Sequence, residues 1–287
     1  MRTAFFSRDN NTLQYAQMPM NRPRRGGARR LRFAVLAGFL AAGIPFPLAC
    51  GAESPVRSGE AVPVPRPAEV LPPEDARVRP SSPVEALAAL DAGIAAAAAR
   101  AAPPDAHLMF ARLKSAKAHL LRDRYAPLPG ADAVLAEEIA WGRHHAERVG
   151  TPWVIREGLE ERAYRSSVDG SPQPFLAFVP KGAPEGERLP VVVFLHGYAP
   201  GTDLVNWSAS FLPEGLIAQA EKRKFLVLLP FGRGNTDFRG PGKKDVLEAL
   251  SLFLKEYPAD PDRVVLFGYS MGGSGAWSLA ADDGSPF

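Results

Sequence analysis

Residues 264–273 read Val-Val-Leu-Phe-Gly-Tyr-Ser-Met-Gly-Gly, so a Gly-x-Ser-x-Gly sequence directly follows an apolar run. A helix-forming stretch follows at 276–281. A serine on a strand-to-helix turn presents its hydroxyl at the edge of a sheet, which makes Ser270 the candidate nucleophile. Such a turn is tight, and Gly268 and Gly272 are the small residues that it needs on either side.

Two more apolar runs, at 191–195 and 225–229, also lack alternation with polar residues. Strands that are covered on both faces have this composition. Helical patterns at 212–222 and 243–257 lie between the runs. This order of strands and helices predicts an α/β fold with a doubly wound, mostly parallel sheet.

Ligands of such sheets bind beyond the carboxyl ends of the strands, so the residues directly after each apolar run are candidates for the binding site. The Met271 N–H, at the start of the helix after the serine, is one candidate donor to an oxyanion. The sequence His196-Gly197-Tyr198 follows the 191–195 run, and the Tyr198 N–H is the second candidate donor. Gly197 permits close approach of the backbone. His196 is expected to orient this loop through a backbone hydrogen bond and not to transfer protons.

Residues 83–149 predict a small helical region. Its start is marked by Ser82-Pro83-Val84-Glu85, which combines an N-cap serine, a proline at the first helical position and a glutamate at the third. The region contains four histidines, which we expect to face solvent on amphipathic helices: His107, His119, His144 and His145.

No metal or cofactor is predicted. The single cysteine excludes a cysteine-rich zinc site, and no His-Glu-x-x-His sequence is present. Glu137 and His144, seven residues apart, are weak candidates for metal ligands. Asp237 and Asp245 are expected to be loop or helix-cap residues and not catalytic acids.

The N-terminal 50 residues have the layout of an export signal peptide, with arginines before an uncharged apolar run at 33–44. The run is too short to span a bilayer, which needs about 20 residues. Cys50 has two interpretations, the acceptor cysteine of a lipoprotein or a residue beside an ordinary cleavage site. Both place the body in the periplasm, on the cell envelope or outside the cell.

Residues 51–82 are rich in proline and predict a disordered linker. Residues 1–32 hold eight arginines and one aspartate, a net charge of +7. The whole chain carries +3, so the remaining residues carry −4. This slightly acidic body argues against nucleic acid as a partner.

Several short sequences occur together in the C-terminal half: Phe194-Leu195-His196-Gly197, Gly232-Arg233-Gly234-Asn235-Thr236, Asp245-Val246-Leu247, Asp260-Pro261-Asp262-Arg263-Val264 and Gly268-Tyr269-Ser270-Met271-Gly272-Gly273. This set resembles secreted α/β-hydrolase esterases of the polyhydroxybutyrate-depolymerase and feruloyl-esterase kind, and also prolyl-oligopeptidase-type catalytic domains. The resemblance implies that residues 150–287 form the N-terminal part of an α/β-hydrolase domain. It also implies a small-molecule or polymeric ester as substrate and an acyl-serine intermediate.

The resemblance further implies an aspartate and then a histidine after the nucleophile. All five histidines precede Ser270, and 17 residues follow it. We therefore expect a C-terminally truncated sequence, and a chain that is inactive by itself for lack of the catalytic Asp and His. The alternatives to an esterase are a serine peptidase of the prolyl-oligopeptidase type and a non-catalytic envelope binding module. An esterase is favoured over the peptidase because about 150 residues before the core cannot build a β-propeller gate.

Overall fold

The computed structural model describes residues 82–102, 104–183, 186–208, 212–282 and 285–287, and two short strands near the N-terminus. These strands, β1 (Thr3–Phe5) and β2 (Gln14–Ala16), pair antiparallel within a separate compact unit, residues 1–30. Apart from them, the predicted signal peptide lies outside the described residues, as do Cys50 and residues 51–81 of the predicted linker.

Three α-helices and one π-helical turn precede the sheet. They are α1 (Pro83–Ala98), α2 (Ala106–Leu120), the π-helix (Leu121–Tyr125) and α3 (Ala131–Glu147). The Ser82 hydroxyl accepts a hydrogen bond from the Glu85 N–H at 3.2 Å, as the sequence predicted. The Asp105 carboxylate caps α2 in the same way, accepting from the Leu108 N–H at 2.8 Å. The apolar faces of the three helices form one buried cluster.

The following residues alternate between strands and helices. The elements are β3 (Gly158–Arg165), β4 (Pro172–Val179), β5 (Leu189–Leu195), α4 (Glu214–Arg223), β6 (Leu226–Pro230), α5 (Pro241–Glu256), β7 (Ala259–Gly268) and α6 (Met271–Ala281). The strands form one five-stranded sheet in the order β3-β4-β6-β5-β7. The fold is therefore α/β, with a mixed sheet.

The sheet is mixed, and β4 is the one strand that runs against the other four. The β3–β4 and β4–β6 pairs are antiparallel, and the β6–β5 and β5–β7 pairs are parallel. The turn at Asp169-Gly170 reverses the chain, so β3 and β4 form an antiparallel hairpin. β4 then pairs with β6, and this pairing joins the hairpin to the parallel strands.

Helices cover both faces of the sheet, which explains why the apolar runs do not alternate. On one face, Val193 shares a buried cluster with Phe253 of α5 and Leu279 of α6. On the other face, Phe194 shares a cluster with Ala220 of α4. Within the residues that the structure describes, no helix combines the length and hydropathy needed to cross a bilayer.

A buried group of charges joins the helical region to the edge strand β3. The Lys114 ammonium donates to Glu161 Oε2 at 2.8 Å and lies 3.0 Å from Glu138 Oε2. Lys117 donates to the other oxygen of Glu161, and all three of Lys114, Lys117 and Glu161 are buried. Burial alone would raise the pKa of Glu161, but the two ammonium groups hold it below its ordinary value.

Candidate active site

Ser270 is the residue between β7 and α6, where it is the N-cap of the helix. Its backbone has φ 51° and ψ −116°, a conformation that non-glycine residues rarely adopt. The residue is exposed at the end of the sheet. A strained, exposed serine at a strand-to-helix turn is the geometry that the Gly-x-Ser-x-Gly sequence predicted for a nucleophile.

Gly268 and Gly272 permit this turn because neither has room for a side chain. A Cβ at Gly268 would lie 2.8 Å from the Gly273 nitrogen and would overlap the Gly272 carbonyl. A Cβ at Gly272 would lie 2.6 Å from the His196 carbonyl oxygen and would overlap the Leu195 carbonyl. Gly272 therefore brings the start of α6 directly against the end of β5.

The loop after β5 lies beside the turn that carries Ser270. The Tyr269 N–H donates to the Leu195 carbonyl at 3.2 Å. A Cβ at Gly197 would lie 3.1 Å from Cδ1 of the Tyr269 ring, so the ring rests on the Gly197 backbone. The next residue, Tyr198, is 62% exposed. The structure thus brings the predicted oxyanion loop and the predicted nucleophile to the same edge of the sheet.

The Met271 N–H is the first backbone donor of α6 after the N-cap. It makes no hydrogen bond to any of the described residues, as expected for a donor in the first turn of a helix. The helix dipole places partial positive charge at this end of α6. Met271 and Tyr198 remain the predicted oxyanion donors.

His196 is buried under the loop that it begins, with 2% of its surface exposed. Its Nδ1 lies 2.8 Å from the Gly197 carbonyl oxygen and its Nε2 lies 2.9 Å from the Phe231 carbonyl oxygen. Both partners are acceptors, so a neutral ring donates to one of them at a time. In the tautomer with the proton on Nε2, the ring donates to the Phe231 carbonyl and so links the loop after β5 to the loop after β6.

A second link between these loops comes from Asn235. Its Nδ2 donates to the Ala199 carbonyl at 2.6 Å, and its Oδ1 accepts from the Ala199 N–H at 3.3 Å. Phe238 fills the space below, with no exposed surface and a ring 5.2 Å from that of His196. No local sequence pattern indicates this contact, because Asn235 and Ala199 are 36 residues apart.

Asp245 differs from its predicted place in a cap or loop. It lies inside α5 and is 1% exposed. Its carboxylate accepts from the Tyr164 hydroxyl and, at 2.7 Å, from the Gly232 N–H. Burial raises the pKa of Asp245 to about 6, against the opposing effect of these two donors. The side chain therefore anchors the start of the loop after β6. Asp237 lies in that loop, as predicted.

Two of the histidines expected to face solvent are buried. His107 Nδ1 lies 2.8 Å from His145 Nδ1, and the Trp153 ring stacks on His145 with centroids 5.0 Å apart. The expectation was wrong for this pair because the two rings bond to each other and pack against Trp153, which lies beyond α3. His119 pairs with Asp91 at 2.8 Å, and its side chain is 39% exposed.

No side chain in the described part of the chain forms a hydrogen bond with the Ser270 hydroxyl. The same residues contain no group of three His, Cys, Asp or Glu that could hold a metal ion. The site, as described, consists of an exposed serine and two neighbouring loops with backbone N–H groups.

No family model matches this chain, and no curated protein does. Among similar solved structures, a thermostable esterase has 24% identity and a TM-score of 0.35 over 43% of this chain and 38% of its own. Fluorophosphonate-binding serine hydrolase F of Staphylococcus aureus has 19% identity and a TM-score of 0.37, over 45% of this chain and 53% of its own. An S-formylglutathione hydrolase from Agrobacterium tumefaciens has 21% identity and a TM-score of 0.35, over 45% of this chain and 55% of its own. The chain thus spans between 38% and 55% of the length of these structures.

Proposed function

We propose that this protein is an exported serine hydrolase that cleaves carboxylic esters at Ser270. The observation that carries the proposal is the conformation of Ser270, an exposed residue with φ 51° held between two glycines that have no room for a Cβ. Backbone strain of this kind persists where the surrounding structure over-determines it, and it concentrates at active sites.

The reaction proceeds in two steps. Ser270 Oγ attacks the ester carbonyl carbon, its proton passes to a base, and the C–O bond to the alcohol breaks as the alcohol takes up that proton. Water then attacks the acyl-serine, which releases the carboxylic acid and restores the hydroxyl. The Met271 and Tyr198 N–H groups stabilise the oxyanion of each tetrahedral intermediate, and one such donor lowers the barrier by about 3–4 kcal/mol.

Three of the described histidines have partners other than the Ser270 hydroxyl. Both ring nitrogens of His196 face backbone carbonyls, and the His107–His145 pair is buried in the helical region. A serine hydroxyl at its ordinary pKa is a weak nucleophile, so the reaction requires a base.

A non-catalytic binding module is the second candidate function. The observation that favours it is the absence, among the described residues, of a hydrogen-bond partner for the Ser270 hydroxyl. A serine peptidase is the third class, and it shares the nucleophile with the esterase.

Turnover of p-nitrophenyl acyl esters separates these functions. The protein expressed from its complete natural coding sequence is compared with its Ser270→Ala variant. The matched control is Ser274→Ala, which removes an exposed hydroxyl one turn further along α6. We expect Ser270→Ala to lower turnover by at least about a thousandfold and Ser274→Ala to leave it unchanged.

The same proteins are treated with a fluorophosphonate, and the site of attachment is mapped by mass spectrometry. Attachment at Ser270 with turnover of esters supports the esterase. Attachment with turnover of peptide anilides alone indicates the peptidase. Equal ester turnover in the wild type and Ser270→Ala would rule out Ser270 as the nucleophile. A protein that shows neither turnover nor fluorophosphonate attachment at Ser270 would indicate the binding module.

The proposal of export rests on the basic and apolar segments within residues 1–50. Mass spectrometry of the mature N-terminus tests it in a bacterial host. A chain that begins at Cys50 with an attached lipid supports envelope anchoring, and a chain that begins near Gly51 or Glu53 supports a free exported protein. An uncleaved N-terminus would contradict export.

A further inference from the structure

We propose that Tyr125 is a positioning residue, through which the helical region holds the loop that carries the candidate oxyanion donor Tyr198. The inference rests on the proposed function. It assigns a role to helices that no motif of the sequence explains, and it begins with one hydrogen bond between the helical region and that loop.

Tyr125 is the last residue of the π-helix that follows α2. Its hydroxyl donates to Asp203 Oδ2 at 2.8 Å, and Asn206 Nδ2 lies 3.4 Å from the same hydroxyl. A hydroxyl bound to a carboxylate forms a charge-assisted hydrogen bond, which is stronger than a bond between neutral groups. Burial and the Asp203 carboxylate raise the pKa of Tyr125 to about 12, so the phenol stays protonated as a donor.

Further hydrogen bonds connect Asp203 to the neighbourhood of Tyr198. Asn206 Oδ1 accepts from the Asp203 N–H at 3.0 Å, and Asn206 Nδ2 donates to the Gly201 carbonyl at 3.0 Å. The Thr202 hydroxyl donates to the Ala199 carbonyl at 2.8 Å. Ala199 directly follows Tyr198. A series of hydrogen bonds within residues 199–206 therefore connects Tyr125 with the neighbour of the candidate donor Tyr198.

Apolar contacts hold the same part of the loop. Leu204 and Val205 are partly buried and pack against the apolar cluster of the helical region. The Val205 N–H also donates to Asp203 Oδ1 at 2.9 Å, so Asp203 is bound through both oxygens. The helical region thus contacts the loop through polar contacts of Tyr125 and Arg124 and through apolar contacts of Leu204 and Val205.

Loss of the Tyr125 hydroxyl would remove the hydrogen bond from the helical region to Asp203 and leave only the exposed Arg124 guanidinium, 3.9 Å from Asp203 Oδ2, as a polar contact from that region. The loop would then sample positions in which the Tyr198 N–H lies too far from the oxyanion. Because an oxyanion donor acts mainly in the transition state, kcat is expected to fall while KM stays near its wild-type value.

The test compares Tyr125→Phe with Ser115→Ala in the protein expressed from its complete natural coding sequence. Ser115 donates to Asp91 Oδ1 at 2.5 Å, so this control also removes a hydroxyl–carboxylate bond of the helical region, but one without contact to the loop. Amide hydrogen exchange of residues 197–206 is measured by mass spectrometry. We expect exchange to accelerate by up to about tenfold in Tyr125→Phe alone, the factor that corresponds to one lost charge-assisted bond.

Asp203→Asn is the second variant, because its Oδ1 can still accept from the Val205 N–H. It should accelerate exchange less than Tyr125→Phe, because the neutral amide can still hydrogen-bond the Tyr125 hydroxyl without charge assistance, and the double variant should add little to Tyr125→Phe. In the ester assay, kcat should fall by about tenfold in Tyr125→Phe with KM unchanged. Unchanged loop exchange in Tyr125→Phe, or faster exchange with unchanged kcat, would overturn the inference. A wild-type protein without Ser270-dependent turnover would instead contradict the proposed function, and the exchange measurement does not depend on turnover.

Discussion

The Asn235 side chain bonds both backbone groups of Ala199, with Nδ2 2.6 Å from the carbonyl oxygen and Oδ1 3.3 Å from the nitrogen. An amide suits this pair of bonds because it carries a donor and an acceptor side by side. Asn235 is exposed, so its contribution is to the position of the loop more than to the buried core.

Asn235→Asp should therefore be more harmful to turnover than Asn235→Ala. One carboxylate oxygen would face the Ala199 carbonyl oxygen, and the two acceptors repel each other. We expect kcat for an ester to fall by about tenfold or more in Asn235→Asp and less in Asn235→Ala, since each tenfold change corresponds to about 1.4 kcal/mol of barrier. Arg239→Ala, an exposed change in the same loop, is the control. Equal kcat values in Asn235→Asp and the wild type would contradict the role of this contact.

The glycines that flank Ser270 give a prediction about stability. Gly268→Ala and Gly272→Ala each place a Cβ into a backbone carbonyl, and we expect each to lower the free energy of unfolding by about 3 kcal/mol or more. Gly273→Ala is the matched control, because its Cβ would meet Gly268 O at an ordinary 3.5 Å. That change should stay within about 1 kcal/mol of the wild type. Urea unfolding measures all three, and a Gly272→Ala protein as stable as Gly273→Ala would show that the turn is looser than described.

The backbone strain at Ser270 predicts that glycine is the better replacement there. At φ 51° a Cβ costs about 1–2 kcal/mol, so Ser270→Gly should be more stable than Ser270→Ala by about 1 kcal/mol. The order should reverse at Ser278, inside the same helix, where alanine is favoured over glycine by about 1 kcal/mol. Thermal or urea unfolding of the four variants decides this, and the same order at both positions would exclude strain at Ser270.

The buried His107–His145 pair predicts a loss of stability in acid. Burial, together with repulsion from the neighbouring imidazoles, lowers the pKa of His145 to about 2, and burial also lowers the pKa of His107. The folded pKa is below the unfolded value, so the unfolded chain takes up protons first. The stabilisation is complete above about pH 6.5 and declines as the pH falls, by up to about 1.4 kcal/mol per unit for each ring.

His145→Gln should therefore reduce the pH dependence of the unfolding free energy between pH 6.5 and 4.5. His119→Gln, at a side chain that is 39% exposed, is the control and should leave the dependence unchanged. Urea unfolding at several pH values gives, for each variant, the slope of the unfolding free energy against pH. If His145→Gln and the wild type lose stability in parallel over this range, the pair is not the source of the acid sensitivity.

The sequence predicts those parts of the fold that depend on local pattern. The apolar run at 191–195 lies in β5, and the run at 225–229 begins one residue before β6. The turn at Ser270 lies between the strand and helix expected there. The start of β7 was not predicted. This strand begins at Ala259, before its apolar run, because Ala259 pairs with Leu189 ahead of a register shift.

Contacts between distant residues could not be read from the sequence. Tyr125 and Asp203 are 78 residues apart, and His107 and His145 are 38 apart. Each of these residues is polar and lies in a segment where exposure is the ordinary expectation. Their burial and pairing depend on how the helices pack against the sheet, which local periodicity does not specify.

The ion group of Lys114, Lys117 and Glu161 joins α2 to β3 where water is largely excluded. Removing one member of a buried ion pair destabilises a protein by about 3–5 kcal/mol, because the other charge is left without a partner. Separating the helices from the sheet would break both Lys–Glu161 pairs and uncover the apolar contact between Ala163 of β3 and the cluster of the helical region. We therefore expect α1 to α3 to unfold together with the sheet in a single cooperative transition.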